Sequence, residues 1–342
     1  MRRLKVRLPL GVAILDPAGT SLTEDDRQRM THPAVGGVVL FAHNYRDPAQ
    51  LAALTEEIAS LREPELFICV DHEGGRVQRF KEGFTAIPPM QQLGRLWDCD
   101  REGALASAHG VGYVIAAELA AHGVDFSFTP VLDLDYGSSE VIGHRAFHYD
   151  PNAVGALAAA LVKGLADAGS AAVAKHFPGH GFAAVDSHRG VPRDERRVAD
   201  ILRKDLAPYA PVIAAKLAGV MPAHVIYPDA DPDPAGYSRY WLQEVLRGRL
   251  GFDGLIFSDD LAMEGASTVG GIPERARAAL AAGCDMVLLC QDPEGQDALL
   301  AALAEAPMAV PDRAERMRHK GGRDLRKSVA YRQALQAMER IP

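Results

Sequence analysis

The sequence predicts a single (β/α)8 barrel over residues 1–342, and three observations carry that fold class. Eight short apolar, β-branched-rich runs alternate with longer amphipathic segments. The polar residues of these runs gather at their C-terminal ends. No GxGxxG opens a helix after a strand, which counts against the doubly wound open sheet that would show similar runs.

Taken in order, the runs are GVAILD (11–16), GGVVLFAHN (36–44), LFICVDHEGG (66–75) and DFSFTPVLDLD (125–135), followed by AAVAKHFPGH (171–180), AGVMPAHV (218–225), GLIFSDD (254–260) and DMVLLC (285–290). Continuous apolar runs suit strands buried on both faces, and alternation with helices suits parallel pairing. The intervening helical patterns include DPAQLAALTEEIASL, EGALASAHGVGYVIAAELAAHG, PNAVGALAAALVKGLADAG, LRKDLAPYAPVIAAKLAG and PERARAALAAGC. Gly123, Gly169, Gly219 and Gly283 read as helix stops before the next run. After Pro311 the composition turns basic, with nine Lys/Arg against four Asp/Glu in 312–342. That stretch reads as a helical extension docked on the barrel with a solvated face.

Composition sets the outer bounds. Hydrophobic content of 48% with 24% charged residues suits a soluble chain with a large core. A formal net charge of −8 leaves no basic footprint for nucleic acid. Cys69, Cys99, Cys284 and Cys290 are widely spaced without CxxC pairing, which argues against a disulfide framework and for a reducing compartment. The basic N-terminus turns apolar only briefly before Asp16, so no signal peptide is expected, and no run reaches the ~18 apolar residues of a membrane span. A cytoplasmic monomer is the expectation.

The strand ends carry the chemistry. Asp16, His43, Asp71, Asp133, Lys175, His176, His224, Asp259 and Asp260 all follow apolar runs, and in this fold the C-terminal rim holds the active site. Asp259 and Asp260 are adjacent, so they point to opposite faces and one of them is expected to be structural. KHFPGHGFAAVDSH (175–188) admits three readings. A metal could sit on His176, His180 and His188 with Asp186, although no HxH or HExxH spacing appears. A phosphate loop would want a helix after the glycines, and a long loop follows instead. An acid–base dyad fits Asp186 and His188, whose i,i+2 spacing sets both side chains on one side of an extended segment. Asp71, Arg76, Arg79 and Arg145 add donors and acceptors of the kind a polyhydroxylated ligand needs.

With these residues in hand, the chain resembles glycoside hydrolase family 3, and within it the single-domain bacterial β-N-acetylglucosaminidases of peptidoglycan recycling. The likeness runs from GGVVLF through DHEGGRVQRF, FTPVLDLD, IGHRAF, KHFPGHG, DSH and VMPAHV to FSDDLAMEG. It implies a retaining, metal-free and cofactor-free exo-glycosidase acting on N-acetylglucosaminyl-β-1,4-anhydro-N-acetylmuramic acid and its peptide-bearing forms. It assigns Asp259 as nucleophile and His188, held by Asp186, as acid–base. It places Asp71, Arg79, Arg145, Lys175 and His176 around the terminal sugar. Two stretches depart from the family's usual pattern: DHEGG stands for DQEGG, and FAAVDSH for a more acidic, Thr-containing segment. Other activities of the same family, phosphorolysis or cleavage of plain β-glucosides, stay open at this point.

Overall fold

The computed structural model describes residues 6–183 and 190–342. Each of the eight runs contributes one strand. These are β1 (Ala13–Leu15), β2 (Val35–Leu40), β3 (Phe67–Val70), β4 (Phe126–Ser127), β5 (Val173–Phe177), β6 (Gly219–Pro222), β7 (Leu255–Asp260) and β8 (Met286–Leu289). They pair in chain order, every ladder parallel, with β8 against β1. Parallel bridges Ser127–Ala172 and Val131–Lys175 join the two remaining edges and close the barrel. Strands β2, β3, β5, β6 and β8 are buried along their whole length, as the unbroken apolar runs require. Phe126, Phe128 and Phe257 fill the interior with centroids 5.5–5.9 Å apart, Phe128 meeting each of the other two edge-to-face.

Helices begin where the sequence supplies a carboxylate cap. Asp47, Asp150 and Asp292 accept from backbone N–H groups ahead of Pro48, Pro151 and Pro293. Gly123, Gly169 and Gly283 end helices with φ of 79°, 87° and 121°. Gly219 does not: it lies inside β6, where an added Cβ would stand 2.9 Å from both Phe257 and Val173. Its glycine serves barrel packing, and the preceding left-handed stop falls on Lys216, φ 66°.

The helix Arg101–Ala121 is long and apolar enough to cross a membrane by length and mean composition, although polar residues such as Ser107, His109 and Glu118 leave it no unbroken apolar run of that length. Most of it is buried inside the fold. It lies tight against Pro151–Asp167, where a Cβ on Gly112 would meet the Leu161 carbonyl at 2.1 Å. Its apolar surface is protein core.

The basic C-terminal stretch does something the composition did not reveal. Arg313, Arg316 and Arg318 pair with Asp285, Asp253 and Asp125 at 2.5, 3.0 and 3.7 Å. Each of these aspartates stands one or two residues before a strand, so the segment straps the end of the barrel opposite the polar rim. Asp125 and Asp285 also accept from Ile68 N and Ile256 N of neighbouring strands. Beyond the strap, the helix Val329–Met338 lies on Arg101–Ala121. Tyr331 donates to Glu118 at 2.6 Å, and Ser107 to the Ala337 carbonyl at 2.7 Å.

The straps are not equivalent. Arg318 is largely buried, donates to the Leu66 and Glu65 carbonyls and covers the Phe67 ring at 4.2 Å. Arg316 and Asp253 are exposed. Arg318→Ala is therefore expected to lower the unfolding free energy by ~2 kcal/mol, and Arg316→Ala by no more than about 0.5 kcal/mol. Urea titration of both variants checks the difference; equal losses would contradict the strap geometry.

Candidate active site

A cavity of about 510 Å³ opens at the C-terminal rim. Asp71, Arg79, Arg145, Lys175, His176 and Asp259 all line it, with Arg76, Glu140, His180 and Asp260 around them. Val39, Phe128, Met221 and Leu288 give it an apolar floor. Its residues come from strand ends β2, β3, β5, β6, β7 and β8 and from the segments that follow β3 and β4. Asp186 and His188 lie outside the described residues.

On one side runs an alternation of charge. Lys175 Nζ lies 2.5 Å from Asp71 Oδ1 and 2.6 Å from Glu73 Oε1. Arg145 donates through Nε and Nη2 to the two Glu73 oxygens, both at 2.8 Å. Arg79 stands 3.5 Å from the other Asp71 oxygen. Burial pushes the Glu73 carboxyl upward, but the Arg145 and Lys175 charges outweigh it and hold the group well below the usual carboxylate range. Burial likewise disfavours the Lys175 cation, and Asp71 and Glu73 reverse that, raising its pKa above 10.5. Glu73, Arg145 and Lys175 are thus ionised at neutral pH.

The next wall is a histidine pair. Asp133, buried at the end of the β4 run, accepts from His176 Nδ1 at 2.7 Å and from the His180 amide at 2.6 Å. Burial raises the Asp133 carboxyl, and His176 and His180 bring it below its ordinary value. With Nδ1 committed to this carboxylate, Nε2 is the His176 nitrogen left for a ligand.

The two aspartates of β7 both line the cavity but differ in their hydrogen bonds. Asp260 Oδ1 accepts from Ala262 N and Cys290 N at 3.0 and 3.1 Å, tying the end of β7 to β8. Burial, with the Asp259 and Asp16 charges adding to it, pushes this carboxyl up to about 7. Among the described residues Asp259 accepts a local bond from Asp260 N, at 2.8 Å. Burial would raise its carboxyl too, but the nearby His224, His176 and Lys175 hold it below 3.8, so it stays an anion. Asp259 thus presents an ionised carboxylate at the cavity wall.

Several strand-end residues do not reach the cavity. Asp16 accepts from Gln291 N and the Gln296 side chain, locking β1 to the segment after β8. His224 is buried, with Nε2 3.0 Å from the Asp260 carbonyl. His43 lies 3.3 Å from the Pro17 carbonyl. Conversely, the sequence reading passed over Glu73. Its i+2 spacing from Asp71 was a usable signal, because alternate residues of an extended segment share a side. Among the described residues no group of three His, Cys, Asp or Glu is placed to hold a metal ion, and His176 is already engaged by Asp133.

The model of the glycosyl hydrolase family 3 N-terminal domain matches residues 9–319. A β-hexosaminidase of Aromatoleum aromaticum is 63% identical over 287 residues, 84% of this chain and 81% of its own. One of Thiobacillus denitrificans is 56% identical over 335 residues, 96% of this chain and 93% of its own. Among solved structures, NagZ from Neisseria gonorrhoeae in complex with N-trifluoroacetyl-D-glucosamine superposes with a TM-score of 0.90. That pair shares 46% identity over 98% of this chain and 99% of the other. The rim cavity, the closed barrel and these likenesses agree: the chain belongs to glycosyl hydrolase family 3 and is a glycoside hydrolase.

Proposed function

We propose that this enzyme is a retaining exo-β-N-acetylglucosaminidase that removes terminal N-acetylglucosamine from cell-wall fragments. The observation that carries it is the convergence of Asp71, Arg79, Arg145, Lys175, His176 and Asp259 on one cavity at the barrel rim. A single polar recess of about 510 Å³ suits one terminal sugar better than a chain threading through. The gonococcal relative was solved with an N-acylated glucosamine, which supports the same sugar here.

In this reading Asp71 accepts from sugar hydroxyls while Arg79, Arg145 and Lys175 donate to them, and His176 Nε2 donates or accepts according to its tautomer. The Asp259 carboxylate attacks the anomeric carbon as the bond to the leaving oxygen breaks, and His188 in its protonated form gives that oxygen its proton. The glycosyl ester on Asp259 is then cleaved by water, whose proton returns to His188, releasing the sugar with retained β configuration. Asp186 orients His188 and supports its cationic form. A histidine acid–base also spares the cavity a second anion beside Asp259. The natural substrates follow as N-acetylglucosaminyl-β-1,4-anhydro-N-acetylmuramic acid and its peptide-bearing forms, processed by a cytoplasmic monomer whose 342 residues act as one catalytic unit.

Purified enzyme is expected to hydrolyse an aryl N-acetyl-β-glucosaminide in the presence of EDTA, and to prefer it over the matching β-glucoside. Loss of turnover on chelation would restore the metal reading of His176, His180 and His188. Phosphate-dependent turnover would point instead to a phosphorylase.

A further inference from the structure

We propose that Glu73 is the positioning residue of the sugar site: its carboxylate fixes the direction of the Arg145 and Lys175 donors without itself touching the sugar. The inference rests on the sugar-site reading above and names what holds that site in shape. Glu73 is only 2% exposed and does not line the rim cavity, whereas Asp71, two residues before it, does. The two carboxylates therefore stand in two rows, Asp71 toward the ligand and Glu73 behind.

Both oxygens of Glu73 are spent. Together they hold Nε and Nη2 of Arg145 in a two-pronged contact, which fixes the plane of the guanidinium. Arg145 Nη1 also donates to the Val141 carbonyl at 3.3 Å, so the remaining N–H groups have a set direction. Oε1 also takes Lys175 Nζ at 2.6 Å. With Asp71 taking a second ammonium hydrogen, one is left for the ligand.

The backbone fixes Glu73 in turn. It sits in the short pair His72–Gly74 with Val77–Gln78, and Gly74 turns at φ 112° where a Cβ would meet Ile87 and the Pro88 carbonyl at 2.7 Å. A glutamine at 73 has one acceptor for three donors, and its amide N–H groups would face the Arg145 or Lys175 donors. Donor directions would scatter, and sugar affinity would fall before chemistry does.

The test uses Glu73→Gln and Glu73→Asp in the full-length enzyme, with an aryl N-acetyl-β-glucosaminide for kinetics and N-acetylglucosamine for binding. For Glu73→Gln, kcat/KM is expected to fall ~100-fold, chiefly through KM, with kcat within about threefold. A second readout separates positioning from general damage. Lys175 faces Asp71, Glu73 and Arg145, with Asp259 also within electrostatic reach. Removing one of the two anions that raise its pKa lowers that pKa, so the alkaline loss of N-acetylglucosamine binding moves to lower pH in Glu73→Gln. Glu73→Asp keeps the charge, so its alkaline limb stays in place while KM rises less. Should Glu73→Gln fail to fold, Glu73→Asp decides, since unchanged KM there overturns the proposal. Unchanged KM in a folded Glu73→Gln, or a loss without any shift of the alkaline limb, overturns it as well. An inactive wild type would overturn the sugar-site reading and this inference with it; an active wild type beside an indifferent Glu73→Gln overturns this inference alone.

Discussion

Asp259→Asn is expected to leave the fold intact and to lower kcat on an aryl N-acetyl-β-glucosaminide by at least about 10⁴-fold. The substitution is nearly isosteric and removes the anion without removing the shape. Its Oδ1 contact to Asp260 N can be kept by the amide oxygen. No burst of released aglycone should precede the slow phase, because no glycosyl ester forms. Asp260→Asn is the matched control. Its carboxyl is engaged by Ala262 N and Cys290 N, so the amide analogue should retain most turnover. If the two variants exchanged behaviour, Asp260 would be the nucleophile. The pH profile adds a check on charge: Asp259 titrates below 3.8, so the acid limb of wild-type activity should reflect another group.

His188→Ala is expected to show the second largest effect, and a selective one. For a poor leaving group the loss should reach about 10²–10⁴-fold, the usual worth of a placed general acid. For a dinitrophenyl glycoside, which departs without protonation, the first step should be nearly normal, so that a glycosyl-enzyme accumulates. Added azide should then speed turnover by replacing the water that His188 would have deprotonated. A loss independent of leaving group would remove His188 from the acid role.

The barrel was legible because β strands buried on both faces leave continuous apolar runs, and all eight runs hold a strand. The rim was legible because a polar residue after such a run has one place to go. Asp71, Lys175, His176 and Asp259 were found that way. Partnerships between remote residues left no local trace. Glu73 owes its meaning to Arg145 and Lys175, and Asp133 to His176. The arginines of 313–318 are interpretable only beside Asp125, Asp253 and Asp285, so a strap read as a solvated face. Gly219 carried a sequence pattern shared by helix stops and tight strand positions, and packing chose between them. The acid–base pair falls in 184–189, outside the described residues, and remains the reading of its spacing and family likeness.

The alternation Asp71, Lys175, Glu73, Arg145 also bears on which ligands the mouth invites. Two anions and two cations interleaved within hydrogen-bond distance cancel beyond a few ångströms, so the site offers strong donors and acceptors at contact and little field at a distance. An uncharged terminal sugar meets every group it needs, while a free phosphate is given no long-range pull. Capture here is governed by fit and diffusion, and the entry of neutral glycosides should be nearly indifferent to ionic strength.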